Sequence, residues 1–190
     1  MPKISSLCVY CGSQAGHNPA YAEDARQLGI VLAELGIMIV YGHGATGLMS
    51  VIADAALEAG GRVTGILPKH LALMERLPDK PSLLRDELET VITDAMHERK
   101  QEMFNRSDGF IVLPGSYGTL DEFFEILTWK KIGIHKKPLV VFDSAGYYEP
   151  LKRLLDHVVE NGFSKQEHRD NATFVRTVDE LLAAFGLSRP

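Results

Sequence analysis

Short strand-like segments that are apolar at every position, such as Phe110–Leu113 and Leu139–Phe142, recur along the chain. A strand that is apolar on both faces is typical of a parallel sheet covered by helices on both sides. The predicted strands are Ile4–Cys11, Ile37–Tyr41, Val63–Leu67, Glu89–Thr93, Phe110–Leu113, Leu139–Phe142 and a short one near Phe174–Val175. Amphipathic stretches between them predict helices over Tyr21–Leu35, Leu48–Ala59, Met96–Arg106, Leu120–Ile132, Tyr148–Glu160 and Asp179–Phe185. The alternation predicts an α/β fold, a doubly wound Rossmann-like parallel sheet flanked by helices.

The length and charge narrow the class of protein further. We expect the 190 residues to form a single domain over 1–190. A net charge of −5 disfavours a nucleic-acid partner, which needs a basic face. No apolar run is long enough for a membrane span and the first residues lack a signal-peptide pattern, so we expect a cytoplasmic protein without a membrane partner. Segment Lys69–Glu87 interrupts the alternation and predicts a loop with a short helix, either a flap over a site or a surface connection.

Two glycine-rich turns each follow a predicted strand and begin a predicted helix. The first contains Gly42, Gly44 and Gly47, and the second is Pro114–Thr119. The first amides of a helix have no intrahelical partner and glycine lets a ligand approach them, so each turn predicts an anion site, usually for phosphate. Ligands of doubly wound sheets bind beyond the carboxyl ends of the strands, where both turns are expected. Two such turns predict a phosphorylated ligand of nucleotide size.

The first turn also fits the G-x-G-x-x-G pattern of dinucleotide-binding proteins. That pattern requires an acidic residue at the end of the next strand to bind the ribose. The corresponding segment, Val63–Lys69, contains no carboxylate, so NAD and FAD are disfavoured. None of the seven histidines is spaced as part of a metal-binding cluster. The sequence therefore predicts no cofactor and no metal.

Carboxylates follow the second turn. Asp121 and Glu122 fall in the first turn of the predicted helix, and Glu125 lies four residues after Asp121. One alternative is that these carboxylates complement the positive end of the helix dipole. The other is that they face a neutral part of the ligand, because a bound phosphate would compete with them for the same amides. A sugar ring, whose anomeric carbon can become cationic, fits the second alternative. Since Asp121 and Glu122 point to different sides of the helix, we expect one of them to be only a solvated or capping group.

Two further patterns each have an ordinary and a functional interpretation. Met96–Lys100, with the sequence Met-His-Glu-Arg-Lys, is either an exposed helix face or a position from which Arg99 binds a phosphate or carboxylate. Cys8 and Cys11 have the C-x-x-C spacing of redox pairs, but they lie in a strand pattern. We expect them to be buried core residues on opposite faces of the sheet.

At these residues the chain resembles the LOG ("Lonely guy") family, the phosphoribohydrolases that act on cytokinin riboside 5'-monophosphates, some of whose members have been labelled lysine decarboxylases. The family signature is P-G-G-x-G-T-x-x-E together with M-H-E-R-K at the start of a helix. This chain has Pro114–Glu122 as P-G-S-Y-G-T-L-D-E and an unbroken Met96–Lys100. The likeness extends from Cys8–Ser13 to Thr128–Trp129.

The resemblance implies hydrolysis of the N-glycosidic bond of a purine riboside 5'-monophosphate, either AMP or a cytokinin-type nucleotide, to the free base and ribose 5-phosphate. It implies that Arg99 and Glu122 are the catalytic pair. It also implies a substrate-binding set formed by Gly42, Gly44, Glu75, Lys100, Gly115, Ser116, Tyr117, Gly118, Thr119, Leu120, Asp121 and Thr128. Since the family works as a dimer, the resemblance implies a homodimer.

The chain departs from the family pattern at two glycines, which His43 and Ser116 replace. The His43 side chain either points away from the ligand or narrows the pocket, and the Ser116 hydroxyl is a further donor for phosphate. An alternative function is that of a non-catalytic nucleotide or molybdenum-cofactor carrier, which needs the glycine turns without the Arg99–Glu122 pair.

Overall fold

The computed structural model describes residues 3–74 and 88–189. Its strands are β1 (Ser6–Tyr10), β2 (Met38–Tyr41), β3 (Val63–Pro68), β4 (Leu88–Thr93), β5 (Gly109–Val112), β6 (Leu139–Phe142) and β7 (Thr173–Val175). Its helices are α1 (Pro19–Glu34), α2 (Gly47–Glu58), α3 (Lys69–Met74), α4 (Met96–Asn105), α5 (Tyr117–Lys131), α6 (Glu149–Glu160), α7 (Gln166–Arg169) and α8 (Val178–Ala184), with a 3-10 turn at Ser144–Gly146. Among these helices none is both long and apolar enough to cross a membrane.

The seven strands form one parallel sheet in the order β4-β3-β2-β1-β5-β6-β7. Leu7 of β1 lies opposite Ile39 of β2 on one side and Gly109 of β5 on the other. The chain therefore winds outward in both directions from the centre of the sheet. The predicted doubly wound Rossmann-like fold is confirmed, and its switch point lies between β1 and β5.

Each face of the sheet is covered by its own layer of helices. On one face, side chains of β1 and β2 pack against Leu28 of α1, Ile52 of α2 and Leu181 of α8. On the other face the core contains Met103 of α4 and Phe123 of α5, together with side chains of α6. Burial on both faces explains why β2 and β6 are apolar at every position.

The cysteines lie on opposite faces of this sheet. Cys8 belongs to the core beneath α4 and α5, and Cys11 to the core beneath α1 and α2. Both thiols are free and buried, and burial raises the pKa of each above its ordinary value. The prediction that they are core residues is confirmed.

The structure adds elements that the sequence pattern did not indicate. The short helix α7 and the 3-10 turn both lie in segments without a clear apolar period. Helix α5 begins at Tyr117, one turn before the predicted start at Leu120. Helix α3 is a short helix within Lys69–Glu87, where the sequence predicts a loop with a short helix. Glu75 and the rest of that segment lie outside the described residues.

Candidate functional site

A cavity of about 380 Å³ lies where the chain leaves β1 and β5, at the switch point of the sheet. Its walls are the loop after β1, the beginning of α5 and two tyrosines, one from α1 and one from the segment before α6. The lining residues are Gly12, Ser13, Gln14, Ala15, Gly16, Tyr21, Leu48, Pro114, Gly115, Ser116, Tyr117, Leu120 and Tyr147. Ligands of open α/β sheets bind in this position.

The beginning of α5 borders this cavity and has amides without helical partners. The Leu120 amide donates to the Ser116 carbonyl at 3.0 Å, so the amides that precede Leu120 have no partner within the helix. The Ser116 side chain lies at the N-cap position but does not cap them. Thr119, in the same helical turn, is buried. Its side chain occupies the space where a Cβ on residue 115 would lie, so Gly115 is needed for this packing.

The first glycine turn makes contacts within the protein itself. At the beginning of α2, the amides of Leu48 and Met49 donate to the Gly12 carbonyl at 3.0 and 3.3 Å. A Cβ at Gly42 would collide with the Arg99 guanidinium, and one at Gly44 with the Met49 side chain. These contacts use two of the amides and part of the space that a ligand could use, and the expectation of a ligand anion at this turn stays a prediction. Direct contact of Gly42 or Gly44 with substrate stays a prediction.

His43 points away from the cavity and towards the sheet. Its ring is buried, stacks on Tyr41 at 6.0 Å between centroids, and has Nε2 2.9 Å from the Thr90 hydroxyl on β4. The ring fills the space beside Gly65, where a Cβ would collide with it. His43 adopts a left-handed backbone with φ of 53°, a region that favours glycine. Of the two alternatives left open by the sequence, the structure supports the one in which His43 does not narrow the pocket.

The Met96–Lys100 segment is not simply an exposed helix face. Glu98 caps α4 by accepting from the amides of Asp94 and Ala95 at 2.9 and 3.3 Å. Arg99 extends in the opposite direction and is only 8% exposed. Its Nε donates to the Ile66 carbonyl and its Nη2 to the Gly42 carbonyl, both at 3.3 Å. The ends of β2, β3 and α4 therefore fix the guanidinium.

The Arg99 guanidinium forms a buried ion pair with Glu122 of α5. Nη1 of Arg99 donates to Oε1 of Glu122 at 2.9 Å, and both side chains are less than a tenth exposed. Burial raises the pKa of the Glu122 carboxyl, while Arg99 opposes that shift by its charge and its hydrogen bond. Among the described residues the Arg99 bond is the carboxylate's one hydrogen bond, so Oε2 is available to a ligand.

Lys100 brings the other carboxylates of α5 together. Its Nζ lies 3.2 Å from Asp121 Oδ2 and 2.9 Å from Glu125 Oε1. Asp121 is exposed, so it is the solvated member of the Asp121–Glu122 pair, as expected for one of the two. Thr128 is exposed near the far end of α5, about 16 Å along the helix axis from Tyr117. Substrate contacts of Lys100, Asp121 and Thr128 stay predictions.

The structure thus gathers the predicted residues into three groups. One is the cavity wall at Gly115, Ser116, Tyr117 and Leu120, with Gly118 and Thr119 in the same helical turn. The others are the Arg99–Glu122 pair and the Lys100 cluster, neither of which belongs to the described lining of the cavity. Residues 3–74 and 88–189 contain no group of three or more His, Cys, Asp or Glu placed to hold a metal ion.

Sequence reasoning missed the wall opposite α5. Gly12–Gly16, Tyr21 and Tyr147 line the cavity but were not selected as site residues. The position of Gly12–Gly16 just after the central strand β1 was a usable signal, since the loop at the switch point borders the ligand. Tyr147 had no comparable signal, because it follows β6 after the 3-10 turn.

Fold and site together define a class: a doubly wound α/β protein with a cavity at the switch point beside the beginning of α5, and with a buried ion pair between Arg99 of α4 and Glu122 of α5. The family described as "Possible lysine decarboxylase" matches residues 49–185. The chain is 41% identical to the Arabidopsis thaliana protein named cytokinin riboside 5'-monophosphate phosphoribohydrolase LOG1, over 95% of this chain and 82% of that protein. It is 39% identical to the Oryza sativa subsp. japonica protein named cytokinin riboside 5'-monophosphate phosphoribohydrolase LOG, over 95% of this chain and 72% of that protein.

The chain therefore belongs to the LOG family. Solved structures agree on the fold. The molybdenum cofactor carrier protein of Chlamydomonas reinhardtii superimposes with a TM-score of 0.69 over 97% of both chains at 19% identity. The molybdenum cofactor binding protein of Rippkaea orientalis gives 0.67 over 98% of both chains, also at 19% identity. At this identity the similarity concerns the fold alone.

Proposed function

We propose that the chain hydrolyses the N-glycosidic bond of a purine riboside 5'-monophosphate, releasing the free base and ribose 5-phosphate. Water supplies the hydroxyl group that remains on C1' and the proton that leaves with the base. The buried ion pair between Arg99 of α4 and Glu122 of α5, the helix whose first turn lines the cavity, is the observation that carries this proposal. The names of the 41% and 39% identical relatives support the same reaction.

The 5'-phosphate binds at the beginning of α5. The free amides and the positive end of the helix dipole attract an anion there, and Ser116 adds a hydroxyl. Phosphate binding is remote from the bond that breaks, so its energy serves to place the sugar. Gly118 and Thr119 belong to the same cradle through their amides.

Glu122 acts on the sugar. It lies five residues after Tyr117, about 7.5 Å along the helix axis, and helical side chains lean towards the N-terminus. A ribose attached to the bound phosphate can span that distance. Cleavage gives C1' an oxocarbenium-like charge, and a carboxylate held nearby stabilises it. Oε2 is the oxygen that faces the ribose, because Oε1 accepts from Arg99.

Arg99 opposes the protonation of Glu122. Burial alone favours the neutral acid, and the guanidinium offsets this effect by its charge and hydrogen bond. Three backbone and side-chain acceptors hold the guanidinium in place, so the carboxylate is oriented before substrate binds. Electrostatic preorganisation of this kind is commonly the largest contribution to catalysis.

The test is to incubate the protein with AMP or with N6-isopentenyl-AMP and to separate the products by chromatography. The wild type should release adenine or the prenylated base, and Glu122→Gln should lower this release at least a hundredfold. Glu34→Gln is the matched control, because it makes the same change at an exposed position on α1. Base release by Glu122→Gln within a few-fold of the wild type would contradict the assignment.

The carrier alternative makes a different prediction in the same experiment. A carrier needs the anion site but not a carboxylate beside the sugar, so it binds nucleotide and releases no base. The buried, oriented carboxylate favours the hydrolase, since burial of an ion pair costs stability that nucleotide storage does not require.

A homodimer is also part of the proposal. Ile92 is 47% exposed on β4 and Met96 is 41% exposed beside Arg99, which donates to the Met96 sulfur at 3.7 Å. A second copy of the chain would cover these apolar side chains. Light scattering should give twice the chain mass for the wild type, and Ile92→Glu should shift it towards the monomer.

A further inference from the structure

Three consecutive carbonyl groups between β5 and α5 each accept a hydrogen bond from another part of the chain. The Leu113 carbonyl accepts from the Tyr148 hydroxyl at 2.7 Å, and the Pro114 carbonyl from the Gly12 amide at 2.9 Å. The Gly115 carbonyl accepts from the Tyr147 hydroxyl at 2.6 Å. Carbonyl oxygens repel an anion. These three hydrogen bonds fix the directions of the carbonyl groups beside the proposed phosphate site.

The direction of a carbonyl fixes the direction of the next amide. A trans peptide is planar, and its C=O and N–H bonds point to opposite sides. The Tyr147 hydroxyl therefore orients the Ser116 N–H as well as the Gly115 carbonyl. Residue 115 is glycine, whose backbone rotates more freely than that of other residues, so this peptide needs an external restraint.

The tyrosine itself is held from several sides. The Tyr147 ring packs edge-on against Tyr21 at 5.5 Å and against Tyr148 at 4.8 Å between centroids. The Tyr148 amide donates to Asp143 Oδ1 at 2.6 Å, and the Asp143 amide donates to the Val175 carbonyl at 2.8 Å. The segment before α6 is thereby anchored to β7 and presents both hydroxyls to the turn.

We propose that Tyr147 is a positioning residue that keeps the Gly115–Ser116 peptide oriented for phosphate binding. This inference rests on the proposed function, because it concerns the phosphate of the same substrate. Tyr147 donates its one hydroxyl hydrogen to Gly115, so it acts through the turn rather than by donating to the ligand.

The test is Tyr147→Phe, which removes only the hydroxyl. Calorimetry with ribose 5-phosphate measures binding to the cradle without any hydrolysis. The loss of one restraining hydrogen bond should weaken this binding about tenfold. In base-release assays KM for the nucleotide should rise by a similar factor and kcat should stay within about twofold, because the phosphate is bound equally in the ground state and the transition state.

Ser107→Ala is the matched control. This substitution also removes a hydroxyl that donates to a backbone carbonyl, because the Ser107 hydroxyl donates to the Met103 carbonyl at 2.9 Å. Ser107 lies just before β5, at the end of the sheet opposite the cavity. The ribose 5-phosphate affinity of this variant should equal that of the wild type. Equal affinity of Tyr147→Phe and wild type, or a fall in kcat with unchanged affinity, would overturn this inference alone. Failure of the wild type to bind ribose 5-phosphate would overturn the proposed function as well.

Discussion

Substitution of Arg99 by alanine should cost the protein much of its stability, because it leaves a buried carboxylate without a counter-charge. Arg99 is 8% exposed and donates to Glu122, Ile66 and Gly42. Removal of one partner of a buried ion pair typically costs about 3–5 kcal/mol. Against a usual total of about 5–15 kcal/mol, the variant should still fold at neutral pH but with a small margin.

The loss should depend on pH in a defined direction. Burial raises the folded-state pKa of Glu122 above its unfolded value, and Arg99 opposes the rise. Such a group contributes stability that is fully present below the unfolded pKa and is lost as the pH rises through the folded pKa. Without Arg99 the folded-state pKa of Glu122 moves higher, so the protein goes on losing stability up to a higher pH. Each additional unit by which this pKa rises lowers the free energy of unfolding by a further amount of about 1.4 kcal/mol. The Arg99→Ala variant should therefore be impaired more at pH 8 than at pH 5.

Urea unfolding followed by circular dichroism, at one protein concentration and at both pH values, measures this difference. The double variant Arg99→Ala/Glu122→Gln removes the charge together with its partner and should regain about 2 kcal/mol at pH 8. A loss below about 1 kcal/mol for Arg99→Ala at pH 8, or an equal loss at both pH values, would refute the argument that Arg99 compensates a buried charge.

Three further outcomes follow from backbone strain and burial. Ala145→Gly should raise the free energy of unfolding by about 0.5 kcal/mol, since Ala145 has a φ of 49° and glycine relieves that strain; a lower thermal midpoint would contradict this. His43→Gly relieves similar strain but loses the contact with Thr90 and the buried ring, so urea unfolding should show a net loss of about 1 kcal/mol, and a gain would contradict the packing argument. Cys8 and Cys11 should resist alkylation at pH 8 until the protein unfolds, because burial raises the pKa of both thiols; rapid labelling of the native protein would contradict their burial.

The fold was predictable because strands that are apolar on both faces are compatible with few arrangements other than a sheet covered by helices on both sides. Segments such as Leu139–Phe142, apolar at all four positions, are stable only where helices cover both faces, and β6 has these same bounds. Helix α5 begins earlier than predicted because glycine at residue 118 weakens the helical pattern in the sequence, although the helix already starts after the N-cap position at Ser116. Element type follows from local pattern, whereas the first residue of a helix is less clearly marked in the sequence.

The site was less predictable because its contacts join distant segments. Local charge pattern left Arg99 either exposed or functional, and only the resemblance selected it. Its burial depends on Gly42, 57 residues earlier, and on Glu122, 23 residues later. The first glycine turn shows the same limit. The glycines of this turn indicate that space is left beside their backbone. They do not indicate whether a ligand or a side chain of the protein fills that space.

The two departures from the family glycines therefore differ in consequence. The His43 ring lies between Tyr41 and the space beside Gly65, so the side chain is accommodated by a glycine on the neighbouring strand and adds nothing to the cavity wall. Ser116 lines the cavity just before the first turn of α5, at the position proposed for the phosphate. A change in ligand preference relative to other members of the family should therefore be sought at Ser116. Substitution of His43 should alter stability and leave the selection of the base unchanged.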